Sequence, residues 1–242
     1  MVKKDWSGSK LYSLANRRYR DNQKRVLSLL EKGHNAKVLD IGCGDGGFTV
    51  EIGSVIGTEE LYGLDIDANR VKKARERGIK AIVHDANTRL PYEDDCFDVV
   101  VTNQLLEHLN DTDGFFREVR RVLKPGGYAV ISTVNLSSFH NLFFMVFGMM
   151  PSGLHVSEIH VGNCFHGMET HGYAKLFTIT ALKDLARYHG FRVEKLVGNG
   201  IYLLPSPIES LLSRLLARYA IYLTIKIRRP EAPVHPEVAP TY

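Results

Sequence analysis

Cysteine is scarce in this chain. There are three in 242 residues, Cys43, Cys96 and Cys164, scattered and with no C-x-x-C pair. Neither a disulfide framework nor a zinc ribbon follows from that spacing, and a reducing compartment is expected. Long apolar runs are missing as well. The most apolar stretch, FFMVFGMMP at 143–151, is far shorter than the roughly 20 residues a membrane-spanning helix needs. The opening MVKKDWSGSK lacks the apolar core of a signal peptide, so a cytoplasmic protein is expected. Charge of one sign is not in large excess: 31 Lys and Arg stand against 27 Asp and Glu, a formal net charge of +4. That is well short of a dedicated nucleic-acid binder. What remains is an ordinary globular composition, 44% hydrophobic and 24% charged, long enough for one sizeable core.

The pattern along the chain is strand and helix in alternation. Residues from about Lys10 to Lys32 read as a helix rich in Arg and Lys, stopped by Gly33. AKVLDI, ELYGLDI, IKAIVHD, CFDVVVTN and GYAVISTVN read as five strands. Helices lie between them, including DANRVKKARERG with Asp67 as N-cap and DGFFREVRRVLKPGG with an apolar face of Phe115, Phe116, Val119, Val122 and Leu123. Strands that are nearly continuous apolar runs are covered on both faces, the pattern of a doubly wound, mostly parallel α/β sheet. After Asn135 the alternation breaks. Residues 136–176 form an insertion with a Phe/Met-rich segment and a loop crowded with His and Gly, a candidate lid or substrate region. TITALKDLARYHG reads as a helix, IESLLSRLLARY as an amphipathic helix, AIYLTIKI as a last strand, and 230–242 as an unstructured Pro-rich tail.

The glycine cluster in VLDIGCGDGG, Val38 to Gly47, sits where a strand of such a sheet delivers ligands. Gly42, Gly44 and Gly47 fit the G-x-G-x-x-G dinucleotide fingerprint, and Gly42, Gly44 and Gly46 fit G-x-G-x-G. The glycines alone do not choose a ligand. Asp65 closes the second strand and can accept both hydroxyls of a ribose. Asp85 closes the third strand and, beside a backbone N–H, can read the edge of adenine. Asp40 lies inside the strand ahead of the glycines. It would repel a pyrophosphate and favour an ammonium. GCGDGGFTVEIG contains no Arg or Lys, while Asp45 and Glu51 add negative charge. A cationic, amino-acid-bearing adenosyl ligand meets these conditions, and S-adenosylmethionine is one.

VLDIGCGDGGFTVEIG, LYGLDIDANRVKKARERG, HDANTRLPYEDDCFDVVVTNQLLEHL and LKPGGYAVISTVN together resemble the successive motifs of class I S-adenosylmethionine-dependent methyltransferases. The resemblance is to the small-molecule branch that includes ubiquinone-biosynthesis-type enzymes. It runs from about Ala36 to Asn135 and is weaker in LFTITALKDLARYHGFRV. It implies a Rossmann-like seven-stranded sheet of order 3-2-1-4-5-7-6 with the last strand, AIYLTIKI, antiparallel. It implies one methyltransferase domain over 1–229, with 1–34 as a helical cap. Gly42, Gly44 and Gly46 would wrap the methionine portion with Asp40 near its amino group. Asp65 would hold the ribose, Ile66 would pack on adenine, Asp85 and Ala86 would read its edge, and the Asn103 carbonyl would meet the methionine amino group. Nucleic-acid amino methyltransferases carry a [DN]-P-P-[YF] segment where this chain has TNQLLEH, so base methylation is not expected.

Methyl transfer from a sulfonium needs alignment and dryness more than acid–base groups. His108 and His140 are the candidate bases, each on the ligand side of the sheet. His108 alternatively packs its own helix, and His140 alternatively sits in a solvated loop. The lid offers His140, His171 and Tyr173 as substrate contacts. His155, His160, Cys164, His166 and His171 match no zinc spacing, so no metal is expected. FHNLFFMVFGMM reads either as a buried helix closing the sheet or as an apolar wall for a lipophilic acceptor, with peripheral membrane contact. The expected partner is a small-molecule acceptor. A catalytically silent ligand-binding subunit, or a protein or RNA methyltransferase, stands as the alternative.

Overall fold

The computed structural model describes residues 10–154, 173–201 and 216–232, with side chains from residue 16 onward. Seven strands form one sheet: β1 (Val38–Ile41), β2 (Leu61–Asp65), β3 (Lys80–Val83), β4 (Phe97–Asn103), β5 (Leu123–Val134), β6 (Arg192–Asn199) and β7 (Tyr222–Arg228). Their order is β3-β2-β1-β4-β5-β7-β6. The first five are parallel to one another, and β7 runs antiparallel to both β5 and β6. AIYLTIKI is the antiparallel strand, as the resemblance implied.

Successive side chains of a strand point to opposite faces, and here both faces are packed. Leu39, Ile41, Ala129 and Ile131 face a layer with Phe115, Phe116, Val119 and Val122 of α4 (Thr112–Val122). Leu182 and Ala186 of α6 (Ile179–Tyr188) share that layer. The alternate residues Val38, Val99, Val101, Tyr128 and Val130 face Val26 at the end of α1 (Lys10–Leu27), Ile52 and Ile56 of α2 (Gly47–Ile56), and Val71 and Ala74 of α3 (Ala68–Glu76). The two-faced burial explains why the strand sequences are apolar at consecutive positions.

Two boundaries and one burial pattern differ from the sequence reading. Helix α1 ends at Leu27, not near Lys32, because Leu29 leaves the helix to pack in the core and the Gly33 N–H already donates to Ile56 O at 2.9 Å. The stretch after Val122 is strand, so LKPGG belongs to β5 and not to the helix; a bulge between Phe97 and Val99 takes up the register. The apolar segment after β5 is α5 (Phe139–Val146), and Asn141 is its single buried residue. Of the two readings of this segment, the buried helix does not hold. The loop with His155, His160, Cys164, His166 and His171 lies outside the described residues, as does most of the predicted helix 208–219. From the latter, Ala217–Tyr219 appear as one 3-10 turn.

Phe97 is fully buried where β4 begins, and its ring meets those of Tyr62 and Tyr92 edge-on at 5.3 and 4.9 Å. Phe97→Ala is expected to destabilise the fold by about 3–5 kcal/mol, read as a lowered urea midpoint with unchanged slope.

Candidate functional site

The carboxyl ends of β1 to β5 open on the same edge of the sheet, and the residues singled out in the sequence gather there. Immediately after β1 the chain turns through Gly42 (φ 82°), Gly44 (φ 56°) and Gly46 (φ 80°) before entering α2. All three are left-handed, a region that costs residues with a Cβ about 1–2 kcal/mol. The three do different work. A Cβ on Gly44 would meet nothing within 4 Å, so this side of the turn faces open space. A Cβ on Gly42 would lie against Leu105 at 3.4 Å. A Cβ on Gly46 would overlap Ile79 Cδ1 and approach Ala74 at 3.0 Å. Gly46 thus lets α2 and α3 close together, while the backbone at Gly44 stands open.

Asp40 is 2% exposed. Its one hydrogen-bond partner among the described residues is Thr49 Oγ1 of α2, at 2.6 Å. Burial pushes its carboxyl up to about 6; the Thr49 hydrogen bond opposes the shift and the Asp65 charge adds to it. A buried carboxylate with one donor is under-satisfied, which suits a neighbouring ammonium. Asp65 accepts from the Gly44 N–H through one oxygen and from the Asp67 N–H through the other, each at 2.9 Å. It holds the glycine turn in shape, and its carboxylate still has acceptor capacity for hydroxyls. Ile66 follows, 72% exposed, an apolar face presented at the edge of the sheet. Asp85 accepts through Oδ1 from the Asn87 backbone and side-chain amides, at 2.9 and 3.0 Å, and Ala86 beside it is buried. This set fits S-adenosylmethionine: an under-satisfied carboxylate, an open glycine, an acidic strand end and an exposed apolar side chain in the required order.

The local charge is less one-sided than the sequence of the turn indicates. Arg77 arrives from the end of α3 and pairs with Asp45 at 3.0 Å, also donating to the Asp45 carbonyl at 2.8 Å. Hydrogen bonding to the Gly47 N–H is the larger cause that holds the Asp45 carboxyl below its ordinary range, with Arg77 contributing. The guanidinium is therefore committed to the loop.

Helix α1 closes the other side. The buried Asn22 amide donates to Asn103 Oδ1 and to Ser132 Oγ, both at 2.9 Å, joining the cap to the ends of β4 and β5. The Asn103 amide reaches the Tyr19 hydroxyl at 3.4 Å. Burial, then the charge of Asp40, raises the pKa of that hydroxyl. Gln104 takes φ 58° right after Asn103, a strained backbone of the kind functional sites hold.

Of the two histidines, His108 is exposed on a 3-10 turn (Leu106–His108) and its ring contacts Tyr173 edge-on at 5.4 Å. The structure therefore brings one candidate base and one candidate lid residue together; His171 lies outside the described residues. His140 sits apart on α5, hydrogen-bonded to Ser152 Oγ at 3.0 Å. Burial lowers its pKa to about 4, so it stays neutral and is a weak proton acceptor near neutral pH.

Sequence reasoning missed Glu107. It is 1% exposed, accepts from Thr133 Oγ1 at 2.8 Å, and burial pushes its carboxyl up to about 7. Its backbone carbonyl accepts from the Ala174 and Lys175 N–H groups, which ties the chain returning from the insertion to the end of β4. An acidic residue directly after two leucines in QLLEHL was the available signal. Asn22 and Tyr19 carried none, because their partners lie far along the chain, and Thr49 meets Asp40 only through the fold of the glycine turn. Among the described residues no group of His, Cys, Asp or Glu is arranged to hold a metal ion.

Residues 39–131 match the family model of the methyltransferase domain. The chain is 31% identical over 142 residues to the demethylmenaquinone methyltransferase of Bacillus subtilis, a match covering 54% of this chain and 60% of that protein. It is 32% identical over 136 residues to a mitochondrial ubiquinone biosynthesis O-methyltransferase of Rattus norvegicus, covering 50% of this chain and 39% of that one. The matches thus span less than two thirds of these relatives. In fold, the chain is similar to an S-adenosylmethionine-dependent methyltransferase of Thermotoga maritima, with TM-score 0.64 and 20% identity over 94% of this chain and 97% of that one.

The two faces of the glycine turn predict separable losses. Gly46→Ala is expected to destabilise the protein by about 1–3 kcal/mol through overpacking, read by chemical denaturation without ligand. Gly44→Ala is expected to cost less stability and to lose S-adenosylhomocysteine binding in calorimetry. Equal stability losses would show that the two glycines do the same work. Sheet order, strand-end chemistry and the matched motifs agree: residues 39–131 match a methyltransferase domain, on a fold similar to that of S-adenosylmethionine-dependent methyltransferases.

Proposed function

We propose that this protein moves the methyl group of S-adenosylmethionine to a small lipophilic acceptor, of the quinone-related class named in its curated relatives. The observation that carries the cofactor half is the buried Asp40 carboxylate, with one hydroxyl donor, at the foot of a glycine turn that opens to space at Gly44. Asp40 would face the methionine ammonium and Gly42 and Gly44 its backbone side. Asp65 would take the ribose hydroxyls, Ile66 one face of adenine, and Asp85 with Ala86 its edge. The Asn103 carbonyl would share the ammonium.

S-adenosylmethionine, when bound, supplies a methyl on a sulfonium that leaves as a neutral thioether. The protein then has to fix the acceptor in line and keep water out. Helix α1 does the second through Tyr19 and Asn22. His108, beside Tyr173, is the better placed of the two histidines to take a proton from an acceptor hydroxyl; His140, with its pKa held near 4, is poorly matched to that task. A small apolar acceptor also fits the first part of the 136–176 insertion, which has no Asp, Glu, Lys or Arg from 136 to 154. The reducing setting expected of the cytoplasm fits Cys43 and Cys96, both free thiols.

Radiolabelled S-adenosylmethionine incubated with the protein and fractionated cell extract is expected to label the organic-extractable fraction. Label confined to protein or RNA would overturn the acceptor class, and failure to bind S-adenosylhomocysteine would overturn the cofactor site. The Asp40 assignment predicts a pH dependence with a definite sign. In the free protein Asp40 is protonated below about 6, and binding an ammonium requires the charged form. Affinity for S-adenosylmethionine is therefore expected to fall roughly tenfold per pH unit below that value. Asp40→Asn should bind weakly with that dependence gone. A wild-type affinity that is flat from neutral to acid would place the ammonium elsewhere.

A further inference from the structure

The outward face of α5 is apolar at helical spacing. Phe139, Phe143, Val146 and Phe147 are 55, 54, 81 and 63% exposed, and Met145 beside them is 40% exposed. Positions i, i+4, i+7 and i+8 share one side of a helix, and the Phe143 and Phe147 rings touch at 4.7 Å between centroids. Among the described residues, five of the eleven exposed large hydrophobic side chains lie in this one stretch. From Leu136 to Leu154 the chain has no Asp, Glu, Lys or Arg. A concentrated apolar patch of this kind marks an interaction surface.

A cavity of about 630 Å³ opens between α5, the start of α6 and the 3-10 turn before β7. Leu142 of α5 lines it, together with the hydroxyls of Ser137, Thr178 and Thr180 and the cations Lys183 and Arg218. Among the described residues no carboxylate lines the cavity, and neither cation has an ion-pair partner among them. Nearby on α6, Asp184 is taken up by Arg187 at 3.5 Å. The patch and the cavity share a helix, so one partner can meet both. That partner has to be apolar over the width of a helix face and anionic beside it.

We infer that α5 docks this protein onto an anionic phospholipid bilayer, its Phe139–Phe147 face entering the acyl boundary and a headgroup phosphate entering the Lys183–Arg218 cavity. Aromatic and aliphatic side chains opposed to cations are the arrangement that interfacial helices use. A second copy of the chain suits the surface less well, since a two-fold contact through α5 would bring both pairs of cations toward each other. The inference is independent of methyl transfer, because it needs a bilayer and no acceptor.

The test is flotation of the full chain with phosphatidylcholine vesicles, with and without phosphatidylglycerol. Binding is expected on the anionic vesicles and to weaken with salt. Phe143→Ser with Phe147→Ser should abolish it. Lys183→Ala with Arg218→Ala should weaken it roughly 30-fold, about fivefold per cation near an anionic surface. S-adenosylhomocysteine binding measured on each variant should be unchanged, which reports an intact fold. If that binding is absent even in the wild type, the cofactor site fails and the docking result still stands on its own. No flotation with either vesicle, equal binding to neutral and anionic vesicles, or variants that float like the wild type would overturn the inference. So would a concentration-dependent dimer that the Phe143→Ser, Phe147→Ser variant breaks while no vesicle is bound, since the face then belongs to a second copy.

Discussion

A carboxylate buried in the middle of a four-residue strand is the constraint around which the ligand edge is organised. Asp40 lies between Gly63 of β2 and Val101 of β4 in a strand buried at every position. Desolvation of its charge is what pushes it up to about 6, and Thr49 can offset only part of that. Thr49 reaches it because α2 begins within a few residues of the strand's end, and α2 can begin there because three glycines take left-handed backbone in succession. The turn is in its own right tied to the next strand by the Gly44 N–H on Asp65. Carboxylate, turn and strand end form one unit, and its electrostatics favour a cation. A pyrophosphate would add charge of the sign that already destabilises Asp40.

The second unit is the attachment of α1. Asn22 is fully buried, and its amide spans two strand ends. Ser132 in turn receives the Thr224 hydroxyl of β7 at 3.1 Å. The cap is thus wired through β4, β5 and β7 by side-chain amides and hydroxyls. Removing one partner leaves the others buried without a match, which costs more than the bond itself contributes. The Lys226 ammonium adds a long-range tie by donating to Leu29 O at 3.0 Å, just past the end of α1.

How much of this the sequence carried depends on the range of each interaction. The sheet order was implied by four ordered motifs, and each motif is local: a strand, its closing residue and the helix that follows. Asp40, Asp65 and Asp85 were legible for that reason. The partners Asn22 with Ser132, or Glu107 with Thr133, are 110 and 26 positions apart and leave no periodic trace. Helix ends failed where packing overrode pattern, as at Leu29, whose apolar side chain fits the helical repeat equally well inside or just beyond the helix. Segment 139–147 shows the deepest ambiguity. The same residue types that fill a core also form a surface for another apolar phase, and only the absence of packed neighbours separates the two.

That ambiguity bears on the chemistry. The cofactor edge is held by strands and short turns, so its geometry is set before any ligand arrives, as in-line displacement requires. On the proposed reading, the acceptor side is built from α1, the Glu107–His108 turn and the insertion. Glu107 is the joint between them: its side chain is anchored on β5 through Thr133, and its carbonyl holds Ala174 and Lys175 where the insertion returns. His108 and Tyr173 meet directly above that joint. The insertion is thereby tied to the turn that follows β4, four residues beyond Asn103. On the proposed reading, the acceptor side and the cofactor edge meet at Glu107, whose carboxyl is pushed up to about 7 by burial.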